Sequence, residues 1–342
     1  MNDPVCLADF ESRAEARLPG DVWDFIAGGS GAEITLAANR TALDAVALLP
    51  RVLSSAGVVD TSCQLLKSEA SLPVVTAPMA YQRLVHPDGE LALAAAARDT
   101  GIPFVASTYS SVPIEELAEV GGTVWFQVYW LHQRSLVDGL ITRAEESGCK
   151  ALMVTVDVPV LGRRLRDLRN DFRLPAGVVA ANLPAALHTQ EILVPAALTW
   201  PDVEWIRDRT TLPVVVKGIL DPRDALRAVS AGADAVVVSN HGGRQLDGAA
   251  ASVAALPAVV EAVGARSEVL LDSGIRSGTD VLRALALGAS GVLVGRPLLW
   301  GLAVDGAEGA ARVLTLLKAE LHDALTLAGC LSPAAARTLA VL

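Results

Sequence analysis

Residues 268–296 read EVLLDSGIRSGTDVLRALALGASGVLVGR and contain two short apolar runs with a helix-like pattern between them. The runs at 268–274 and 290–296 have apolar centres, VLL at 269–271 and VLV at 292–294, without polar alternation, which is typical of parallel strands covered on both faces. The segment between them, 277–289, has Ser near its start and Gly near its end, as the caps of a helix require. This stretch therefore predicts one strand–helix–strand unit.

The same unit recurs along the 342-residue chain. Eight such repeats in about 230 residues indicate an α/β protein with a (β/α)8 TIM barrel. A doubly wound sheet is less favoured, because no GxGxxG motif follows any of the apolar runs. The eight runs lie at 72–78, 102–108, 123–129, 151–157, 212–218, 234–240, 268–274 and 290–296, and the clearest helix-like patterns lie at 89–101, 133–148, 221–233 and 277–289.

The remaining segments fit around this barrel in a single domain over 1–342. We expect a helical N-terminal extension over 1–70, the barrel over 71–300 and C-terminal helices over 301–342. The segment 158–200, between the fourth and fifth runs, carries four prolines and is too long for a plain connection. Because long loops at a barrel mouth often cover an active site, we expect this one to lie over the site.

Composition excludes several classes of partner. The net charge of −10 argues against nucleic acid, because phosphate binding needs a basic face. The chain lacks the uninterrupted apolar stretch of about 20 residues that a membrane span needs, and its N-terminus does not resemble a signal peptide. We therefore expect a cytoplasmic protein. The four cysteines are widely separated, so we expect reduced thiols and no metal site.

Polar residues gather at the carboxyl ends of the predicted strands, where barrel enzymes place their chemistry. A single polar strand end is ordinary, but eight in register are hard to explain without a ligand. These residues are Thr76, Ser107, Gln127, Tyr129, Thr155, Asp157, Lys217, Ser239, Asn240, His241, Asp272, Gly295 and Arg296.

The last two units predict a phosphate site. Loops after the seventh and eighth strands of barrels often cradle a phosphate with backbone N–H groups. Gly274 and Gly295 allow close backbone approach, and Arg276 and Arg296 can supply charge-assisted hydrogen bonds.

The first five strand ends indicate what accompanies the phosphate. Thr76, Ser107, Gln127 and Thr155 are neutral hydrogen-bonding groups that suit a flat heteroaromatic ring, either a flavin or a nucleobase. Lys217 adds a cation, but a buried lysine can also form a Schiff base, so a lysine-based aldolase is an alternative.

Two arginines and a tyrosine predict a carboxylate site. Arg164 and Arg244 carry guanidinium forks that bind carboxylates through two hydrogen bonds, and Tyr129 can add a third donor. His241 can transfer a proton near neutral pH, and Asp157 can orient it and stabilise its imidazolium.

At this point the chain resembles the FMN-dependent α-hydroxy acid oxidases and dehydrogenases, which include glycolate oxidase, lactate oxidase and mandelate dehydrogenase. The stretch SNHGGRQLD at 239–247 is similar to the active-site signature of that family. The resemblance extends over nearly the whole chain, through TAPMA at 76–80, FQVY at 126–129, TVDVPVLGRR at 155–164, VVKG at 215–218, LLDSGIRSGTD at 270–280 and VGRP at 294–297.

The resemblance implies FMN as cofactor and gives each residue a role. Ala77, Pro78 and Ala80 are expected at the flavin face, Ser107, Gln127 and Thr155 at the ring edge, and Lys217 near N1 and the C2 carbonyl. Ser239 is expected near the ribityl chain or the ring, and Asp272, Gly274, Arg276, Gly295 and Arg296 around the ribityl and phosphate. Tyr129, Arg164 and Arg244 are expected to bind the substrate carboxylate and hydroxyl, with His241 as the base and Asp157 as its partner.

One position departs from the family pattern. Where family members commonly have a tyrosine that reaches the substrate carboxylate, this chain has Phe25. Together with Met79 and Tyr109 after the first two strands, Phe25 favours an aromatic (S)-2-hydroxy acid, mandelate or 4-hydroxymandelate, over lactate or glycolate. Ala80, at the position near flavin N5, favours an oxidase that reduces O2 to hydrogen peroxide over a dehydrogenase with another acceptor.

Three other functions are less favoured by the sequence. A lysine-based aldolase would use Lys217 without a flavin, and a non-catalytic flavin-binding protein would leave His241 unexplained. A barrel like inosine-monophosphate dehydrogenase needs a cysteine at the mouth, and no cysteine lies at a strand end. The family resemblance also implies a homo-oligomer, a tetramer or larger.

Overall fold

The computed structural model of the protein describes residues 3–53, 57–188 and 196–342. Within those ranges, every predicted apolar run contains a strand of one eight-stranded parallel sheet. A short hairpin, β1 (Cys63–Leu65) and β2 (Ser68–Ala70), precedes the barrel strands β3 (Val74–Thr76), β4 (Phe104–Ser107), β5 (Val124–Val128), β6 (Ala151–Thr155), β7 (Val214–Ile219), β8 (Ala235–Val238), β9 (Glu268–Leu271) and β10 (Gly291–Val294).

Helices alternate with these strands and cover the outside of the sheet, which confirms the predicted (β/α)8 barrel. They are α1 (Leu7–Arg17), α2 (Gly20–Ala27), α3 (Ile34–Asp44), α4 (Gly89–Thr100), α5 (Ile114–Glu119), α6 (Arg134–Glu146), α7 (Leu165–Arg169), α8 (Trp200–Asp208), α9 (Pro222–Ser230), α10 (Ser252–Val263), α11 (Gly278–Ala286), α12 (Arg296–Ala328) and α13 (Pro333–Ala336). No helix within the described ranges is long and apolar enough to cross a membrane.

The barrel closes between its first two strands through Thr76. Its backbone N–H donates to the Pro103 carbonyl over 3.1 Å. Its hydroxyl oxygen accepts a 2.8 Å hydrogen bond from the Val105 N–H. The expectation that Thr76 offers its hydroxyl to a flat ring is therefore wrong, because that group bridges β3 and β4 in the buried wall.

The barrel interior is a packed apolar core. Val75, Trp125, Met153 and Leu270 point inward from different strands and are fully buried in one cluster. Leu65 of the hairpin joins the same cluster, so the hairpin closes the amino-terminal end of the barrel. The segment 1–70, predicted to be helical, is thus helical only at the start and ends in two antiparallel strands.

The C-terminal helices begin earlier than predicted, at Arg296. The helical path of α12 is interrupted at Asp305 and Gly306, which have non-helical backbone angles. Beyond this break the chain turns back on itself, so that a Cβ atom added to Gly309 would lie 2.1 Å from the Gly301 carbonyl oxygen. Only glycine at 309 leaves room for this contact.

The N-terminal extension crosses the carboxyl end of the barrel. Ser30 donates its N–H to the Gly243 carbonyl over 2.9 Å. The Asp247 carboxylate accepts from the N–H groups of Ala32 and Thr35, at 2.8 and 3.0 Å. These contacts hold the segment between α2 and α3 over the mouth, where the predicted site residues lie.

Gly309→Ala should lower the free energy of unfolding by about 1–3 kcal/mol, because the backbone on both sides of the contact would have to move apart. Gly139→Ala is the matched control, since Gly139 also lies in a helix but its added Cβ would meet nothing within 4 Å. There the substitution should stabilise the protein by about 0.5–1 kcal/mol. Urea unfolding of both variants measures the difference, and equal free energies would contradict the assigned contact.

Candidate active site

A cavity occupies the mouth of the barrel at the carboxyl ends of the strands. It lies under the N-terminal segment and beside the loop that follows β6. Most residues predicted from the sequence line it: Phe25, Ala77, Pro78, Met79, Ala80, Ser107, Tyr109, Tyr129, Arg164, Lys217, His241, Arg244, Asp272, Gly274, Arg276, Gly295 and Arg296.

Four predicted residues, Gln127, Thr155, Asp157 and Ser239, lie just behind this lining. The Gln127 side-chain oxygen accepts from the Ser107 hydroxyl at 3.2 Å, while its amide nitrogen is buried without a partner among the described residues. The Thr155 hydroxyl is also buried and unpartnered there. Buried polar groups without a partner are rare, so these two fit the hydrogen-bonding edge of a bound ring.

Lys217 is buried at the end of β7 and carries a positive charge. Its Nζ lies 3.2 Å from Asp272 Oδ2 and 3.1 Å from the Ser239 hydroxyl oxygen. Burial alone would lower the pKa of Lys217, but the carboxylates of Asp272 and Asp157 outweigh it and raise the pKa. An ammonium held charged in this way is a poor nucleophile, which disfavours the Schiff-base alternative.

His241 and Asp157 form a close pair between two strand ends. The His241 Nδ1 lies 3.0 Å from Asp157 Oδ1, so the other ring nitrogen, Nε2, is left for a ligand. Asp157 fits here because Gly218 lacks a side chain, since a Cβ on Gly218 would lie 2.6 Å from the Asp157 Cβ.

Electrostatics keep the His241 imidazole neutral. Burial lowers its pKa below 6.5, and the neighbouring Lys217 cation lowers it further, against the opposing effect of Asp157. Burial would raise the pKa of Asp157, but His241 and Lys217 outweigh it and the pKa is lowered. The pair therefore combines an ionised carboxylate with an imidazole that can accept a proton.

The loop that presents His241 has an unusual backbone. His241, Gly242 and Gly243 are all in the left-handed region, with φ of 59°, 67° and 75°. Ser273 on the next loop is left-handed too, and its hydroxyl oxygen accepts from the Gly242 N–H at 2.9 Å. Strained backbone of this kind is held by its surroundings and clusters at functional sites.

Two arginines and an aromatic ring form the wall beside His241. The guanidinium carbons of Arg164 and Arg244 lie 5.8 and 5.2 Å from the centre of the Phe25 ring. Arg164 Nε is buried without a partner among the described residues, and its NH1 is 3.9 Å from Asp167. Burial lowers the pKa of Arg164, and burial together with Arg164 and Arg296 holds the pKa of Arg244 well below its usual value. This concentration of positive charge is suited to a carboxylate.

Arg244 also ties the N-terminal segment to the barrel. Its NH1 donates to the carbonyls of Phe25 and Gly28 at 2.7 and 2.9 Å. Arg296 adds hydrogen bonds of 3.0 Å each to the carbonyls of Ile26, Gly28 and Gly242. Both arginines thus hold the cover of the site as well as facing the cavity.

Aromatic side chains form a large part of the cavity lining. The ring of Tyr109 stacks between those of Tyr129 and Tyr81, with centroids 5.0 and 6.1 Å away. Phe25 stacks on Phe172 at 4.5 Å. Burial raises the pKa of Tyr129 to about 12, so its hydroxyl remains protonated and can donate a hydrogen bond at neutral pH.

Sequence reasoning missed several residues of the site. Tyr81, Gly242 and Ser273 line the cavity, and Phe172 and Asp167 support Phe25 and Arg164 from behind. Tyr81 directly follows a predicted residue, and Gly242 and Ser273 lie inside predicted motifs. Their proximity in the sequence to predicted residues could therefore have identified all three. Phe172 and Asp167 had no such signal, because only the folded loop brings them to the site.

The chain matches the profile of the FMN-dependent dehydrogenase family over residues 14–341. It is 53% identical to 4-hydroxymandelate oxidase of Amycolatopsis orientalis, covering 98% of this chain and 97% of that protein. It is 46% identical to L-lactate oxidase of Nostoc sp., covering 96% of each.

Solved structures of similar sequence have the same fold. The fold superimposes with a TM-score of 0.96 on a mandelate oxidase variant with (S)-mandelic acid, at 53% identity and 99% coverage of both chains. It superimposes equally, with a TM-score of 0.96 and 52% identity, on mandelate oxidase with (S)-4-hydroxymandelic acid, again covering 99% of both chains.

The pKa of His241 should lie below 6.5 in the folded protein, because burial and Lys217 outweigh Asp157. Asp157→Asn removes the carboxylate that favours the imidazolium and should lower this pKa further. Titration of the histidine C2–H signals by NMR measures both values, with His241→Asn identifying the signal among the five histidines. A pKa above 6.5, or a rise in the Asp157→Asn variant, would show that the pair is arranged differently.

Proposed function

We propose a substrate and a mechanism for this chain, which belongs to the FMN-dependent dehydrogenase family and is an enzyme that oxidises 2-hydroxy acids with FMN. The proposed substrate is an aromatic (S)-2-hydroxy acid, mandelate or 4-hydroxymandelate, which is converted to the 2-oxo acid. The observation that carries this proposal is the His241–Asp157 pair beside two arginines that flank the Phe25 ring.

The chain's residues fit the cofactor, and we assign them as follows. When bound, FMN supplies an acceptor for two electrons. The unpartnered groups of Gln127 and Thr155 would bind the ring edge, and the charged Lys217 would stabilise negative charge near N1. Ala77, Pro78, Ala80, Ser107 and Ser239 would surround the ring and ribityl, and Asp272, Gly274, Arg276, Gly295 and Arg296 the ribityl and phosphate.

The substrate carboxylate would lie between Arg164, Arg244 and the Tyr129 hydroxyl. This placement neutralises two arginines whose positive charge is poorly compensated by the described residues. It would also bring the substrate hydroxyl to Nε2 of His241, which would accept the hydroxyl proton. The α-hydrogen would leave Cα together with the two electrons of the broken bond, for which FMN supplies the acceptor. Asp157 keeps the ring oriented and stabilises the imidazolium that results.

The aryl group of the substrate would contact Met79, Tyr109 and Phe25. Phe25 presents a ring without a hydroxyl, so this end of the cavity offers apolar surface where a phenol would offer a hydrogen bond. The similarity to 4-hydroxymandelate oxidase supports this substrate class. The similarity to L-lactate oxidase makes a small aliphatic 2-hydroxy acid the alternative.

Oxygen is the proposed electron acceptor, with hydrogen peroxide as its product. The support is Ala80, which lines the cavity with a small methyl group, and the similarity to named oxidases. A dehydrogenase that uses another acceptor is the alternative. A cytoplasmic location and a homotetrameric assembly also belong to the proposal, and the tetramer rests on the family resemblance alone.

Anaerobic addition of (S)-mandelate to the flavin-loaded protein should bleach its visible flavin bands, and readmitted air should restore them with one hydrogen peroxide per substrate. Lactate at equal concentration should bleach them more slowly. If the bands stay with mandelate but bleach with lactate, the substrate is a small aliphatic 2-hydroxy acid. Bands that bleach but do not return in air would point to another acceptor.

The His241→Asn variant should keep its flavin bands, but mandelate should bleach them at least a hundredfold more slowly, because no group then accepts the hydroxyl proton. Because Asn cannot take a proton but resembles the ring in size and polarity, it preserves the loop. Unchanged bleaching would remove His241 from the mechanism and leave the flavin assignment intact.

Phe25→Tyr should lower the ratio of kcat/KM for mandelate over lactate by about three- to tenfold. The added hydroxyl supplies a hydrogen bond to the carboxylate of either acid but reduces the apolar surface that receives the aryl ring. Phe172→Tyr is the matched control, because Phe172 stacks on Phe25 from outside the cavity lining. Steady-state kinetics on both acids give the ratio, and an unchanged ratio in Phe25→Tyr would place the aryl group elsewhere.

A further inference from the structure

A second cavity, of about 680 Å³, adjoins the first at the loops proposed to hold the phosphate. Three residues, Gly274, Arg276 and Arg296, line both cavities. Exposed residues such as Glu15 line the second one, so it reaches the protein surface. Charged side chains outside the barrel mouth can therefore influence the phosphate end of the cofactor site.

Arg276 and Arg296 are close to each other and poorly compensated. Neither forms an ion pair within 4.0 Å in the described part of the chain, and their hydrogen bonds go to backbone carbonyls. Burial lowers the pKa of Arg276 to about 10 and, together with the charge of Arg276, lowers that of Arg296 to about 9. Two such cations are suited to a phosphate dianion.

One carboxylate faces these cations across the second cavity. Glu11, on α1, is half-buried and lines that cavity with both arginines. Burial raises its pKa, although the attraction of Arg276 and Arg296 opposes the rise. Of the other carboxylates nearby, Glu33 lies 2.7 Å from Arg166 and Asp280 lies 2.7 Å from Arg40. Glu15 also lines the second cavity, but it is exposed to solvent, which screens its charge.

We propose that Glu11 limits how tightly the protein holds the phosphate of FMN. With no anion bound, its carboxylate balances part of the charge on Arg276 and Arg296. A phosphate dianion at those arginines then meets a like charge on the far side of the same cavity, which weakens binding and shortens the residence time. The inference rests on the proposed assignment of the two arginines to the phosphate.

Glu11→Gln tests the charge without changing the size of the side chain. The rate of FMN release from the full-length loaded protein, measured as recovery of flavin fluorescence on dilution, should fall about three- to tenfold, and the equilibrium Kd should fall with it. Added salt should shrink this difference, because screening weakens the repulsion.

Two controls isolate the phosphate. Riboflavin, the same flavin without phosphate, should be released at the same rate from both proteins, because it places no anion near Glu11. Glu15→Gln removes a carboxylate one turn along the same helix, on an exposed residue, and should change FMN release by less than twofold.

Equal FMN release from wild type and Glu11→Gln would overturn the proposal. So would an equal change for riboflavin, which would indicate a structural effect, or faster FMN release from the variant, which would assign Glu11 to ordering the arginines. If wild type binds riboflavin as tightly as FMN, the phosphate assignment of Arg276 and Arg296 fails. The bleaching experiment with mandelate is independent of all these outcomes.

Discussion

The concentration of positive charge at one end of the barrel is the constraint on which the rest of the structure depends. Lys217 and four arginines line a single cavity, and withdrawing such charges from water is costly unless they gain partners. Lys217 has a carboxylate at 3.2 Å, that of Asp272, and Arg164 has one at 3.9 Å, that of Asp167, whereas the other three arginines have none within 4.0 Å among the described residues. The four arginines, Arg164, Arg244, Arg276 and Arg296, all have depressed pKa values because burial disfavours the charged form. Repulsion from neighbouring arginines of this set lowers the pKa values of Arg244 and Arg296 further.

Backbone carbonyls supply part of the missing compensation. Arg244 and Arg296 bind the carbonyls of Phe25, Ile26 and Gly28, which belong to the last turn of α2 and the residue that follows it. A barrel without this segment would leave both guanidinium groups with unmade hydrogen bonds. The N-terminal extension is therefore part of the site, although more than 200 residues separate it from the arginines. Under the proposed function, anionic ligands would supply the remaining compensation, a carboxylate at one end of the cavity and a phosphate at the other.

The sequence predicts well whatever depends on local pattern. Seven barrel strands lie inside the predicted apolar runs and β7 extends one residue beyond its run, to Ile219, because a strand covered on both faces is mostly apolar. The polar residues at their carboxyl ends converge because parallel strands place those ends on one side. Thr76 is the exception, because its hydroxyl oxygen accepts a hydrogen bond from the Val105 N–H and so joins β3 to β4.

Features that depend on contacts between distant segments could not be predicted in this way. The hairpin at 63–70 has no strong local pattern, and only the open end of the barrel gives its apolar residues a place. Phe25 was recognised as a departure from the family pattern, but its stacking on Phe172 appears only when the loop after β6 folds back. The left-handed backbone at His241 and Gly242 is held partly from a distance: the Ser239 hydroxyl two residues earlier accepts from the His241 N–H, and the Ser273 hydroxyl on the loop after β9 accepts from the Gly242 N–H.

The same charges link substrate binding to proton transfer. In the free site, burial and the Lys217 cation hold His241 neutral, as a proton acceptor must be before the reaction begins. A carboxylate that binds between Arg164 and Arg244 brings negative charge close to the imidazole, and negative charge raises the pKa of a histidine. Under the proposed function, binding of the substrate would therefore make His241 a stronger base at the moment when it has a proton to accept. A neutral analogue of the substrate, such as an amide, would lack this effect, so the arginines contribute to the chemistry as well as to affinity.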